Sequence, residues 1–313
     1  MTTREVEHEI TIAAPPLTVY RLLAEVENWP RIFPPTIFVE KMDGDDTQER
    51  IRIWASANGE PKHWTSRREL DSEALRIVFR QEVTTPPVAA MSGTWIVEQL
   101  SPNESRVRLL HAYSAIDDDP HELLWIDQAV DKNSRSELAA LKTNVEFAHA
   151  TQEATFSFED SVLVNGTAED AYAFINDAHL WADRLPHVHT VHLTEETPGL
   201  QTLVMDTQAK DGSIHTTKSY RVTTPHHRIS YKQITLPALL DHHTGTWTFH
   251  PTPHGVTVTS QHTVTIKTTN ITNILGPRAT LDDARKYVHT ALSTNSQATL
   301  DHAKNHTENR QHP

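Results

Sequence analysis

Glu27-Asn28-Trp29-Pro30-Arg31-Ile32-Phe33-Pro34 and His179-Leu180-Trp181-Ala182-Asp183-Arg184-Leu185-Pro186 are two versions of one stretch. Trp29 and Trp181 lie 152 residues apart, as do Pro34 and Pro186. Moving outward, Gly93-Thr94-Trp95 returns as Gly245-Thr246-Trp247 at the same offset. Ser66-x-Arg68 returns as Ser219-x-Arg221 at 153, and His111 as His262 at 151. Asn133-Ser134 matches Asn295-Ser296 at 162, which implies about ten inserted residues before the last helix of the second copy. Ordered matches at a nearly constant offset mark an internal repeat. The expected domains are therefore 1–150 and 151–313, with a short polar linker near His149-Ala150-Thr151-Gln152.

Each copy reads in the same order. An alternating strand opens it, Val6 to Ile12 and Thr155 to Val162. A short helix follows, Pro15 to Glu27 and Thr167 to Asn176, with Thr167 as N-cap and Asp170 three residues on. Strands then alternate with turn signals at Asp43-Gly44-Asp45, Ala57-Asn58-Gly59, Thr84-Thr85-Pro86-Pro87 and Ser101-Pro102-Asn103. A long amphipathic helix closes each copy. In the first, Leu123, Ile126, Val130, Leu138, Leu141 and Val145 recur near helical spacing. In the second it spans about Leu281 to Lys304, and the tail after about Asn305 reads as disordered. Strands in series followed by a helix predict an α+β fold, a curved antiparallel sheet around a long helix with an internal pocket.

Composition narrows the function. The 313 residues carry 28 Lys and Arg against 41 Asp and Glu, a net charge of −13, which disfavours nucleic-acid binding. No apolar run approaches the roughly 20 residues needed to span a bilayer. The polar start, Met1 to His8, lacks a signal-peptide core. There is no cysteine, which removes disulfides, thiol nucleophiles and cysteine-ligated metals and fits a cytoplasmic protein. The 21 histidines are scattered. His226-His227 and His242-His243 read as turn residues whose rings do not converge on a metal. No HExxH, P-loop, strand-borne GxGxxG or GxSxG occurs, so no metal and no cofactor is expected.

In Trp64-Thr65-Ser66-Arg67-Arg68-Glu69-Leu70, strand alternation puts Trp64, Ser66 and Arg68 on one face and Thr65, Arg67 and Glu69 on the other. A guanidinium on the concave face is functional or paired with a carboxylate, unless the strand is an edge with both faces wet. In Met91-Ser92-Gly93-Thr94-Trp95, Met91, Gly93 and Trp95 share a face, either as a ligand wall or as ordinary core. His111 and His262 recur in the last strand of each copy, through shared function or through common descent.

The Trp-Pro stretch, the Trp-x-Ser-x-Arg strand, the Met-x-x-x-Trp strand and Asn133-Ser134-Arg135 on the closing helix resemble the aromatase/cyclases of bacterial type II polyketide synthases. The first copy is similar to the single-domain enzymes and the whole chain to the di-domain subclass. The resemblance implies the START-like helix-grip fold. It implies first-ring closure between C7 and C12 of a C9-reduced poly-β-ketone, followed by dehydration to an aromatic ring. The substrate would ride on acyl carrier protein, among other type II synthase components, with Arg67 and Lys62 as candidate docking residues. Arg68 and Ser66, with Arg221 and Ser219, would be catalytic. Trp64, Met91, Trp95, Phe33 at a loop near the mouth, His111, Trp247 and His262 would line substrate. The second copy departs from the pattern: Thr217 replaces Trp64, and Gln297 follows Asn295-Ser296 where the first copy has Arg135. Either both pockets are catalytic, or one catalyses while the other stabilises the fold or docks the carrier. A non-catalytic tandem lipid or polyketide carrier is the alternative class, and a cofactor-free oxygenase on this scaffold is a second.

Overall fold

The computed structural model describes residues 2–57, 60–150, 152–208, 212 and 214–309. The chain divides into two compact units, Met1–Thr151 and Gln152–Pro313. The turn signal at Asn58-Gly59 lies outside the described residues.

The first unit runs β1 (Arg4–Ile12), α1 (Pro16–Ala24), α2 (Trp29–Ile32), β2 (Thr36–Gly44), β3 (Gln48–Ala57), β4 (Glu60–Asp71), β5 (Arg76–Gln81), β6 (Val88–Ser101), β7 (Glu104–Ala115) and α3 (Pro120–Ala150). The second repeats it with β8 (Thr155–Val164), α4 (Ala168–Asn176), α5 (Trp181–Arg184), β9 (Val188–Thr197), β10 (Leu200–Gln208), β11 (Ile214–Thr224), β12 (Arg228–Thr235), β13 (Leu240–Thr252), β14 (Gly255–Ile266), α6 (Ile271–Leu275) and α7 (Leu281–Asn309). Each sheet has seven strands, in the orders β1-β7-β6-β5-β4-β3-β2 and β8-β14-β13-β12-β11-β10-β9. Every pairing is antiparallel.

These are the two α+β copies expected from the repeat. The ten-residue insertion falls between β14 and α7, where it forms α6 and the Gly276 turn. Thr167 caps α4 as expected: its hydroxyl accepts the Asp170 amide at 3.0 Å. On α3, Ile126, Val130, Leu138, Leu141 and Val145 are buried against the sheet. The corresponding face of α7 is more polar, with Ser293, Ser296 and Thr299 buried beside Val288 and Leu300.

Two readings need correction. Residues 306–309 are not a disordered tail, since α7 continues to Asn309; residues 310–313 lie outside the described residues. Its last turns are tied to the sheet edge. Lys304 donates to Leu163 O, Glu308 accepts the Asn165 amide, and Thr307 is fully buried. His242 and His243 are not turn residues; they lie inside β13. His226-His227 do occupy the β11–β12 turn.

Gly93 and Gly245 sit at matching points of β6 and β13. A Cβ at Gly93 would overlap the Phe79 ring and Leu110 O, and one at Gly245 would overlap Tyr231 and Gln261 O. Overpacking of this kind costs about 1–3 kcal/mol. Gly245→Ala is expected to lower stability by that amount in urea unfolding. Unchanged stability would show that Tyr231 is free to move aside.

Candidate active site

The two most prominent motifs of each repeat meet at the end of the first helix. The last carbonyls of a helix lack internal partners and carry partial negative charge. Trp29 Nε1 donates to Leu23 O at 3.0 Å, and Arg68 Nη2 donates to Ala24 O at 3.0 Å. Both acceptors are the closing carbonyls of α1. The Arg68 guanidinium carbon lies 5.2 Å from the Trp29 ring centre. In the second unit Trp181 Nε1 donates to Phe174 O at 3.2 Å, and Arg221 Nη2 donates to Ile175 O at 2.8 Å. Arg221 lies 5.5 Å from the Trp181 ring centre.

The alternation of β4 is as read. Ser66 and Arg68 are buried and Trp64 is half-buried, while Arg67 and Glu69 are exposed. Arg68 is 2% exposed and does pair with a carboxylate: its Nε is 3.3 Å from Glu49 Oε1. Burial lowers the guanidinium to about 10 despite Glu49, which still leaves it charged near neutrality. Arg68 Nε and Nη1 are both buried without a hydrogen-bond partner among the described residues; Nε faces Glu49 as an ion pair, and Nη1 remains unspent. In the second unit Gln201 stands across the ladder where Glu49 stands in the first. Arg221, 2% exposed, is likewise lowered by burial to about 10.

Register places Arg and His of each copy in one transverse row of inward side chains. In the first unit the row is Glu49, Arg68, Phe79, Gly93, His111. In the second it is Gln201, Arg221, Tyr231, Gly245, His262. Three strand spacings, about 15 Å, separate the arginine from the histidine. The closing helix touches each row at one serine: Ser134 Oγ is 3.3 Å from His111 Nδ1, and Ser296 Oγ is 2.7 Å from His262 Nε2.

Around the first row the sequence-nominated residues divide. Ser66 Oγ donates to Arg80 O at 3.0 Å, which occupies its proton. Trp64 packs with Trp29 against Val26, Val39 and Ile53. Met91 packs beside Tyr113 and Ile126 at the His111 end. Trp95 is buried among Ile77, Val97 and Leu109. Phe33, at the end of α2, is buried, 5.4 Å edge-on from Trp29 and 6.3 Å from Trp95. Trp247 holds the matching core place in the second unit, and Ser219 is buried beside Arg221 on β11. His111, edge-on to Phe79 at 5.8 Å, is pushed down to about 4 by burial and therefore neutral near pH 7.

Sequence reasoning missed the partners of His262. His243, buried on β13, has Nε2 3.0 Å from His262 Nδ1 and Nδ1 2.8 Å from Gln233 Oε1. Tyr231 Oη is 3.0 Å from His262 Nδ1, and Ser260 Oγ is 3.2 Å from His262 Nε2. The available signal was the position of His243 two residues before Gly245, on the same face of one strand.

A separate groove of about 560 Å³ opens beside β1 and α3, lined by Arg4, His8, Tyr113, Asp127, Asp131 and Arg135 among others. Its charges are matched, Arg4 to Asp127 at 2.6 Å and Arg135 to Asp131 at 3.0 Å. Of the residues singled out from the sequence, Arg135 of the Asn-Ser-Arg motif lines it, and none of the candidate catalytic or substrate-lining residues does. Among the described residues no three His, Asp or Glu side chains gather around a metal position. No helix among the described residues is long and apolar enough to cross a membrane.

Residues 12–118 and 155–308 match two models of one description, polyketide cyclase / dehydrase and lipid transport. The granaticin polyketide synthase bifunctional cyclase/dehydratase of Streptomyces virginiae is 56% identical over 300 residues, covering 95% of this chain and 98% of that protein. The actinorhodin polyketide synthase bifunctional cyclase/dehydratase of Streptomyces coelicolor is 42% identical over 308 residues, covering 95% of each. Among solved structures, the di-domain ARO/CYC BexL from the BE-7585A biosynthetic pathway superposes with a TM-score of 0.91 at 62% identity, over 97% of this chain and 99% of that one.

Proposed function

This chain belongs to the polyketide cyclase/dehydrase and lipid transport family, in its di-domain aromatase/cyclase form, and from that membership we propose that it closes and dehydrates the first ring of a poly-β-ketone. The bond formed is C7–C12, in a chain reduced at C9 and delivered on acyl carrier protein within a type II synthase. One observation carries the reading: each helix grip buries a fixed cation on its concave face, and in the first unit that cation keeps an unspent donor at Arg68 Nη1. An apolar carrier pocket has no need of a buried guanidinium, whose desolvation is costly even beside Glu49.

The chemistry follows from the row. Selecting one aldol among many requires a surface that fixes the fold of the chain, and the walls of Trp95, Phe33 and Phe79 supply it. Ring closure develops negative charge on a ketone oxygen. The Arg68 guanidinium, held by Glu49 and the α1 carbonyl, stabilises that charge with little reorganisation. Ser66 acts through the strand, because its hydroxyl proton is given to Arg80 O. Neutral His111, three strands away, accepts a proton at a different carbon. The serine contacts on the closing helices are the ones a bound chain replaces.

The test separates enzyme from carrier. Substoichiometric protein is added to a minimal type II synthase with its ketoreductase. Many equivalents of a dehydrated aromatic first ring per protein are expected. Shunt products unchanged from the protein-free reaction, with polyketide retained one-to-one, would identify a carrier.

A further inference from the structure

The two units form an internal control. At matching inward positions the first carries Phe79, Met91 and Leu109, and the second carries Tyr231, His243 and Ser260. The first unit shows that apolar side chains build this sheet. Polar groups at the same places are not required by the fold, and each would cost about 1–3 kcal/mol if left unpaired. They are paired, and the pairing has a direction.

Gln233 presents Oε1, which only accepts, so His243 Nδ1 carries the proton and donates to it at 2.8 Å. His243 Nε2 is then an acceptor, and His262 Nδ1–H donates to it at 3.0 Å. His262 Nε2 is left with its lone pair toward the closing helix, where Ser296 donates to it at 2.7 Å. A base whose second nitrogen is fixed by a partner is the general arrangement of an activated catalytic histidine. Tyr231, beside both rings, is next to Arg221 across the ladder.

We propose that the second unit is the dehydration site, with His262 as the base and acid that removes water from the newly closed ring and His243 as its positioning residue. This rests on the cyclase/dehydratase reading above and assigns one of its two steps. The ring-closed β-hydroxy ketone replaces Ser296 at His262 Nε2. His262 Nε2 takes the proton from the carbon between ketone and carbinol, and the electron pair moves to the ketone oxygen, with Tyr231, beside both histidine rings, as the hydroxyl donor to it. The enolate re-forms the carbonyl, a carbon–carbon double bond forms and the carbinol C–O bond breaks. The departing hydroxide takes the same proton back from His262 and leaves as water. Nothing is oxidised or reduced, and both histidines end neutral. Burial, first, holds His262 at about 4 and His243 well below the ordinary histidine value, which keeps both neutral before the step and makes the imidazolium a ready donor after it.

The experiment uses the full chain with the minimal synthase and ketoreductase, and follows initial rates of two products: the dehydrated ring and the carbinol one water heavier. His262→Gln keeps a hydrogen-bonding side chain without a basic nitrogen, and His262→Asn repeats the test with a shorter one. His243→Met installs the residue the first unit carries there. Folding of each is checked by circular dichroism and thermal unfolding. The His262 variants are expected to close the ring and to form the dehydrated product at least about 100-fold more slowly, with the carbinol accumulating. His243→Met is expected to lower the kcat of water loss about ten-fold at unchanged KM. Dehydration at the wild-type rate in folded variants would overturn the proposal. So would loss of ring closure and water loss together. Wild-type protein that leaves the shunt products unchanged would instead overturn the parent reading.

Discussion

Arg68→Ala is expected to lower the rate of first-ring formation by about 100- to 1000-fold, the range for loss of a preorganised charge-stabilising donor. It is also expected to destabilise the first unit, because buried Glu49 then keeps only the Lys41 ammonium, 3.3 Å from its Oε2, as an ion-pair partner. The second repeat says which change should be mild. Gln201 faces Arg221 where Glu49 faces Arg68, so Glu49→Gln reproduces an arrangement this chain already folds with. Product rates and urea unfolding of the two variants should separate widely. Equal stability of Arg68→Ala and wild type would remove the ion pair from the account. Equal product rates would remove Arg68 from the chemistry.

The second large effect concerns acid. His111 and His262 each sit at about 4 in the folded chain, chiefly through burial, and His243 sits well below the ordinary 6.5. The unfolded chain takes up these protons near pH 6.5, whereas the folded chain does not. The unfolded state thus binds more protons below that pH, so stability is full above about 6.5 and falls as pH drops toward 4. For His111 and His262 a shift of this size corresponds to about 3 kcal/mol each at full effect. Urea midpoints measured from pH 7.5 down to 5 should fall steadily. His243→Met, which removes one such group, should flatten the curve. A flat wild-type profile would mean that the histidines are not buried neutral.

How much of this was legible before the structure depends on whether the signal is local. The repeat was legible because Trp29 and Trp181, or Gly93 and Gly245, can be aligned by offset alone. The inward face of Arg68 was legible because strand alternation is a local rule. Its partner was not: Glu49 lies on a different strand, and register between strands cannot be read from one sequence. The same limit hid the row itself, in which Arg68 and His111 belong together only through the pairings of Phe79 and Gly93. His243 was misread for a different reason. Two adjacent histidines after Leu239-Leu240-Asp241 look like a turn, yet strand alternation sends His243 inward and His242 to the other face. The end of α7 was misread from composition, since the polar residues up to Asn309 are anchored by Lys304, Thr307 and Glu308, through contacts that only tertiary structure supplies.

The central claim is that the chain folds one poly-β-ketone so that a single bond, C7–C12, is made before water is lost. Carbon–carbon correlation NMR on the product of a reconstituted reaction with uniformly 13C-labelled malonyl units tests it most directly. The account predicts a protein-dependent C7–C12 correlation inside a dehydrated aromatic ring. A product whose first ring is closed between other carbons, or one identical to that formed without the protein, would contradict it.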